Sequence, residues 1–416
     1  MKSSDVTGQQ PRNATIVAEG YGQQDAVDLG SGIFMSRDIS NVYRVITDDG
    51  DVMVNTGFPN SGEENFRRLK AVSANPVKKI VFTQSHTDHI GGWRWFNESN
   101  TETIAHANFE HVYGYFGALR PAMMRRSRAL WNRDIKKAVE EFIKPEITTT
   151  FHDTLTFTLG GRNFELYSVP GGETLDSLVV WMPQDRIVFT GNMTGPIFGH
   201  VPNLYTVRGD KIRYVQWYLN SVQRVIDLKP EVLITGHGEP VRGEENIRVQ
   251  LAKMRDAVKY IMEKTFDGMN AGVPLWKLMG EITLPTELSI PQGHGKVPWL
   301  VRAIWEEHMG WFRFESTTEL YNVPPDALAA DYVELAGREA LLERAQRYLR
   351  KGKPLHALHL AEAVLATYDE DGDALKVELD ATRMVLEQNG RENFSEVRWL
   401  ESRISILSRA IEDRAK

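Results

Sequence analysis

The stretch KKIVFTQSHTDHIGGW, Lys78 to Trp93, decides how this chain of 416 residues is read. Its apolar start, Ile80-Val81-Phe82, has the composition of a buried strand, and the residues after it are polar, small and turn-forming. His86, Asp88 and His89 therefore fall in one short loop at a strand end, where binding and catalytic groups concentrate. Two imidazoles and a carboxylate that close together can face a common centre, a donor set that suits zinc, iron or manganese. Gln84 stands earlier in the same stretch; its amide oxygen can reach a metal, but as a neutral and poorer donor.

Outward from that loop, between about Gly32 and Gly238, short β-branched runs alternate with turns and helical patches. VYRVIT and DVMVNTG flank Asp48-Asp49-Gly50, while TLTFTL and RNFELYSV flank Gly160-Gly161, and each pair predicts a hairpin. SLVVWM, RIVFTG and EVLITG add strands; GEENFRRLKAV and DKIRYVQWYLNSVQRVID read as helices between strands. This pattern predicts an α/β sandwich of sheets covered by helices. After Pro240 the texture changes: NIRVQLAKMRDAVKYIMEKTF has a helical period, and Pro324 to Ala415 is almost wholly amphipathic helix, part of it resembling a stacked helix-turn-helix repeat. We divide the chain into a catalytic domain over 1–245 and a helical domain over 246–416.

Composition narrows the chemistry. There is no cysteine, so disulfides and thiolate ligands are excluded, and a transition metal must be held by His, Asp, Glu or amide oxygen. The net charge of −7, with acids and bases mixed along the chain, gives no electrostatic case for nucleic acid or membrane as a partner. The basic cluster MMRRSR, Met123–Arg128, is local. MKSSDVTGQQPRNATIVAEG at the N-terminus lacks the apolar core of a signal peptide, and no later stretch approaches about 18 uninterrupted apolar residues, so the expectation is a cytoplasmic protein.

Of eleven histidines, His237 joins His86 and His89 in ending a strand, in LITGHGEP, where small neighbours let the backbone approach a ligand. Alone it reads as a hydrogen-bonded loop residue; beside the first loop it reads as part of the same centre. Aromatic residues in GGWRWF, HVYGYF and NLYTVRG, with MMRRSRALW, could line an apolar or aromatic substrate pocket, though most read as ordinary packing.

SHTDHIGG, VPGGETLDS and TGHGEP, in that order, resemble the successive motifs of the metallo-β-lactamase superfamily over roughly the first 240 residues. MNAGVPLWKLMGEITLP, GKVPWLVRAIWEEHMGWF and the helical stretch from Tyr332 to Gln388 are similar to the dimerisation domain of its alkylsulfatase branch. The resemblance implies an αββα sandwich followed by an all-α dimerisation domain, a homodimer, and no counterpart of the sterol-carrier-like domain that ends longer members. It carries the family's HxHxDH loop onto Gln84, His86, Asp88 and His89, a later glutamate onto Glu173, a bridging acid onto Asn192, and the last histidine onto His237. An arginine that faces the sulfate group maps to Arg208 in LYTVRGDK. Five of the seven positions that hold two zinc ions in the family are thus retained, and Gln84 and Asn192 are amides.

The amides weaken the two-ion arrangement. Two divalent ions facing only Asp88, Glu173 and one hydroxide leave about one uncompensated positive charge in a dehydrated site. We expect one firmly held zinc at Asp88, His89 and His237, and a weak second position near His86 and Glu173; Gln84 and Asn192 are doubtful ligands, and iron or manganese also suits the first set. The implied activity is a metallo-hydrolase acting through metal-bound hydroxide on a small organic ester, alkyl or aryl sulfate-like, with an apolar or aromatic part. Bound water of pKa about 7 attacks, Asp88 and Arg208 serve catalysis, and Arg208 grips the anionic group with paired N–H donors. Two other readings stand: a non-hydrolytic iron or manganese enzyme on the same fold, and a non-catalytic relative with a degenerate metal site.

Overall fold

Two sheets carry the fold, in a computed structural model that describes residues 23–131 and 142–414. The N-terminal residues 1–22, on which the absence of a leader was read, lie outside the described residues. The first sheet has seven strands in chain order: β1 Val27–Gly30, β2 Ile33–Ser36, β3 Val42–Val45, β4 Asp51–Val54, β5 Val77–Val81, β6 Glu102–His106 and β7 Thr149–Phe151. The second has six: β8 Thr154–Leu159, β9 Arg162–Ser168, β10 Leu178–Met182, β11 Ile187–Gly191, β12 Val232–Thr235 and β13 Val241–Arg242.

Both hairpins expected from glycine-bearing turns are present: β3 pairs antiparallel with β4, Arg44 opposite Met53, and β8 with β9, Phe157 opposite Phe164. Because side chains alternate along a strand, each strand serves two cores. Val52 and Val54 of β4 and Leu178, Val180 and Met182 of β10 pack in the layer between the sheets. Met53 of β4 turns the other way, joining Leu69, Ile80, Phe82 and Phe109 under the helices that cover the first sheet. Val179 and Trp181 of β10 join Val215, Tyr218, Val222, Leu251, Met254 and Val258 of the helices Val215–Leu228 and Glu244–Asn270, which cover the second. The order helix, sheet, sheet, helix is the αββα sandwich predicted.

The change of texture near residue 245 is where the sheets end, since β13 closes at Arg242 and the next helix packs on the second sheet. By compactness the chain forms two units; among the described residues one holds both sheets and runs to Glu307, and the other starts at His308 and includes residues 125–131. The second unit contains the helices Ala329–Ala336, Arg338–Arg350, Pro354–Thr367, Gly372–Gln388 and Phe394–Arg414. Alanines at 345, 357, 361, 374 and 381 are fully buried between them, small side chains that bring helix axes close. Asp371 caps the helix Gly372–Gln388 by accepting from the Ala374 N–H at 2.9 Å and also takes the Arg338 guanidinium. Among the described residues no helix is long and apolar enough to cross a membrane.

Candidate metal centre

Two parallel strand pairs, β4 with β5 in one sheet and β11 with β12 in the other, send their following loops to a shared edge. After β5 come Gln84 and His86, and then, where the sequence suggested a loop, the one-turn helix Thr87–Ile90 with His86 at its N-cap presents Asp88 and His89; β11 is followed by Asn192 and β12 by His237. Backbone bonds stitch the sheets together here: Asn41 N–H donates to Gly236 O at 2.7 Å and Leu178 N–H to Thr83 O at 2.9 Å. Gly236 is required by close approach, because a Cβ there would stand 2.2 Å from Asn192 Oδ1 and 3.0 Å from His89 Cε1.

In the first half of the site, Asp88 Oδ2 lies 3.6 Å from His89 Nε2 and 3.8 Å from His237 Nε2. Their donor atoms all fall within 4.8 Å of one another, the one such set of three found among the described residues. Both Nε2 atoms and Asn192 Oδ1 are buried without a hydrogen-bond partner. Leaving a buried polar atom unpaired costs about 1–3 kcal/mol, so two imidazole nitrogens left so beside one carboxylate fit a cation. Burial pushes His89 down to about 4, against the pull of Asp88, and lowers His237 in the same way, so both imidazoles are neutral donors at pH 7. Burial opposes ionisation of Asp88, but His89, His237 and His86 outweigh it and hold the carboxyl below its ordinary range.

The far nitrogen of His89 sets its tautomer. Nδ1 is 3.0 Å from Ser40 Oγ, which lies 3.2 Å from Gly236 O, and 3.0 Å from Asn55 Nδ2. Asn55 donates from Nδ2, since its Oδ1 accepts the Thr83 N–H at 3.0 Å, and so favours a proton on Nε2. Ser40 can instead accept a proton from Nδ1 while donating to Gly236, and a cation at Nε2 selects that form.

In the second half, His86 Nδ1 faces Gln84 Nε2 at 2.9 Å and Glu173 Oε1 at 3.8 Å, while His86 Nε2 faces Asp210 Oδ2 at 3.8 Å. Arg213 Nη2 is 3.1 Å from Glu173 Oε1 and 3.9 Å from Asp210 Oδ2. Arg208 Nη2 approaches the same two carboxylates at 3.9 and 3.8 Å, and the Tyr115 hydroxyl donates to Asp210 Oδ1 at 2.9 Å. Burial opposes ionisation of both acids; for Glu173 the Arg213 guanidinium, and for Asp210 first His86 and then Arg213, reverse that and hold the carboxyl below the ordinary range.

All eight residues read from the sequence therefore stand along this edge: His86, Gln84, Glu173 and Arg208 on one side, Asp88, His89, Asn192 and His237 on the other. Asp210 and Arg213 were missed, although RGDKIR contains them with Arg208, because no spacing separates a site acid or arginine from a surface one. Of the aromatic residues singled out, Phe116 sets its ring edge-on to His86 at 5.1 Å and Tyr115 reaches Asp210, whereas Trp93 is core and Trp95 packs against Phe66.

Two families match the chain in succession: the metallo-beta-lactamase superfamily over residues 35–237 and the alkyl sulfatase dimerisation family over residues 278–398. A linear primary-alkylsulfatase of Pseudomonas sp. is 28% identical over 335 residues, 73% of this chain and 62% of that protein. The alkyl/aryl-sulfatase BDS1 of Saccharomyces cerevisiae is 26% identical over 348 residues, 76% of this chain and 53% of its own. The chain thus spans between half and two thirds of the length of these relatives. The fold is shared with the inverting sec-alkylsulfatase Pisa1 from Pseudomonas sp., at a TM-score of 0.81 and 20% identity over 94% of this chain and 65% of that one.

Proposed function

We propose that this chain, which joins a metallo-beta-lactamase superfamily domain to an alkyl sulfatase dimerisation domain as in the alkylsulfatase-like branch, is a metal-dependent hydrolase of small organic sulfate esters. One observation carries it: the donor atoms of Asp88, His89 and His237 converge within 4.8 Å, with both imidazole Nε2 atoms buried and unpaired. Two imidazoles and a carboxylate fit one zinc ion, which when bound supplies Lewis acidity to the reacting oxygen. Asp88, its side chain 25% exposed, is the ligand that faces the opening, and it orients the incoming water there. Arg208, 30% exposed, presents its guanidinium near the rim and takes the anionic group through paired N–H donors. Phe116 offers the adjoining apolar surface to the organic part of the substrate.

Residues 1–245 carry this chemistry in the proposal, and the helical segment after them brings two copies together as a homodimer, working in the cytoplasm. The test is release of inorganic sulfate from dodecyl sulfate by protein stripped of metal and reloaded with one equivalent of zinc. Zinc-dependent release supports the reading; no release under saturating zinc ends it. Stoichiometric iron with an oxygen requirement in the protein as purified would replace it with the non-hydrolytic reading.

A further inference from the structure

We infer that the guanidinium of Arg213, with Arg208 beside it, stands in for a second metal ion, so that the centre works with a single ion; this rests on the proposal that Asp88, His89 and His237 hold that ion. Arg213 Nη2 lies 3.1 Å and Arg208 Nη2 3.9 Å from Glu173 Oε1, and both stand within 3.9 Å of Asp210 Oδ2, so two carboxylates face two guanidiniums and their formal charges sum to zero without a metal. A divalent ion added here would leave two uncompensated positive charges in a buried site, where such charge is costly.

The geometry agrees with the charge. Arg213 and Asp210 have side chains 6% and 3% exposed, and Arg213 is anchored from both ends. Its Nη1 donates to the Asn203 carbonyl, its backbone N–H donates to Leu204 O at 2.9 Å, and its Nη2 sits 3.1 Å from Glu173 Oε1, the oxygen nearest His86 Nδ1. A guanidinium there occupies the carboxylate oxygen that lies nearest His86. Gln84 Nε2 also lies 2.9 Å from His86 Nδ1, so an amide nitrogen occupies the face of the imidazole that looks toward Glu173. Histidine at position 84 would have offered an imidazole donor to a cation; the amide nitrogen that stands beside His86 offers none.

Buried atoms without a hydrogen-bond partner occur in both halves, His86 Nε2, Glu173 Oε2 and Asp210 Oδ2 as well as the Nε2 atoms of His89 and His237. What sets the first half apart is that no arginine is paired with its carboxylate among the described residues. Asp88 Oδ2 faces the imidazoles of His89 and His237 at 3.6 and 3.8 Å, and the three converge on one point. Within one buried edge, one carboxylate is left for an ion and two are already neutralised by side chains.

Zinc stoichiometry by elemental analysis and zinc affinity by calorimetry, on the full chain after chelator stripping, test this directly. Wild type and Arg213→Lys are expected to bind one zinc per chain; Arg213→Gln is expected to bind two, the second at least about tenfold tighter than any second binding to wild type, and Asp88→Ala in the Arg213→Gln background returns the count to one. Two zinc ions in wild type, or one in a folded Arg213→Gln, would overturn the inference. Should Arg213→Gln fail to melt cooperatively, Arg208→Gln at the more exposed arginine carries the same test: an unchanged second affinity overturns it. No zinc in wild type but one in Arg213→Gln would end the functional proposal above while sustaining the exchange of metal for arginine.

Discussion

The two halves of the centre share a loop, a depth and a chemistry of carboxylates and imidazoles, yet they solve the problem of buried charge in opposite ways. Around Asp88 the neighbours are the imidazoles of His89 and His237, whose donor atoms converge with its carboxylate within 4.8 Å. Around Glu173 and Asp210 the neighbours are arginines, and the charge is already balanced. Counting candidate ligands in sequence therefore misjudges occupancy, because a ligand position is also a charge position, and a cationic side chain can fill it.

The sharpest way to break this contrast is to disable the half that keeps an opening. Asp88→Ala or His237→Ala is expected to lose the bound zinc and to lower dodecyl sulfate hydrolysis by about a thousandfold or more, since metal polarisation contributes several kcal/mol, each 1.36 of them a factor of ten. Full turnover in either variant, with zinc still bound, would remove the Asp88 set from the chemistry.

Next in size is Arg213→Gln measured without metal. Removing one partner of a buried ion pair strands Glu173, so urea unfolding in chelator should show a loss of about 3 kcal/mol. Zinc at about 100 times its dissociation constant should then return about 2.7 kcal/mol, where for wild type in the second half it returns nothing. Equal urea midpoints for the two proteins in chelator would show that the arginine does not carry this charge.

Smaller still is Ser40→Ala, which removes the acceptor of the His89 Nδ1 proton in the metal-competent tautomer. Zinc affinity of the first half is expected to fall about tenfold by calorimetry, with the urea midpoint in chelator little changed. The smallest effect belongs to Arg37, whose 2.6 Å pair with Glu239 has side chains 39% and 61% exposed. Arg37→Ala should cost less than about 1 kcal/mol, because water screens that pair. A loss as large as that of Arg213→Gln would mean that exposure is not what separates them.

Much of the fold was legible in sequence because it rests on local signals. Alternating β-branched residues and glycine turns predicted the hairpins around Asp48-Asp49-Gly50 and Gly160-Gly161, and both are present. The ligand segments were legible too, since His86, Asp88, His89 and His237 all follow closely on apolar strands, although Asp88 and His89 lie on the one-turn helix Thr87–Ile90 rather than in a loop. The extent of the sheet-bearing unit was less so: a helical period beginning at residue 246 says nothing about which surface the helix covers, and Glu244–Asn270 covers the second sheet. Aromatic residues showed the same limit. Phe116 and Trp93 are alike as letters, and only packing puts one against His86 and the other in the core.

What the sequence by itself determined is the set of donors and the two amides, Gln84 and Asn192, because residue type and spacing along a strand-loop unit are properties of the chain. The tertiary structure alone decided that Arg213 and Asp210 belong to the site. An arginine in a polar loop reads the same in sequence whether it is solvated or buried 3.1 Å from a glutamate. Its charge acquires a role only when distant segments close around it and exclude water, since the strength of an ion pair is set by the dielectric that folding creates.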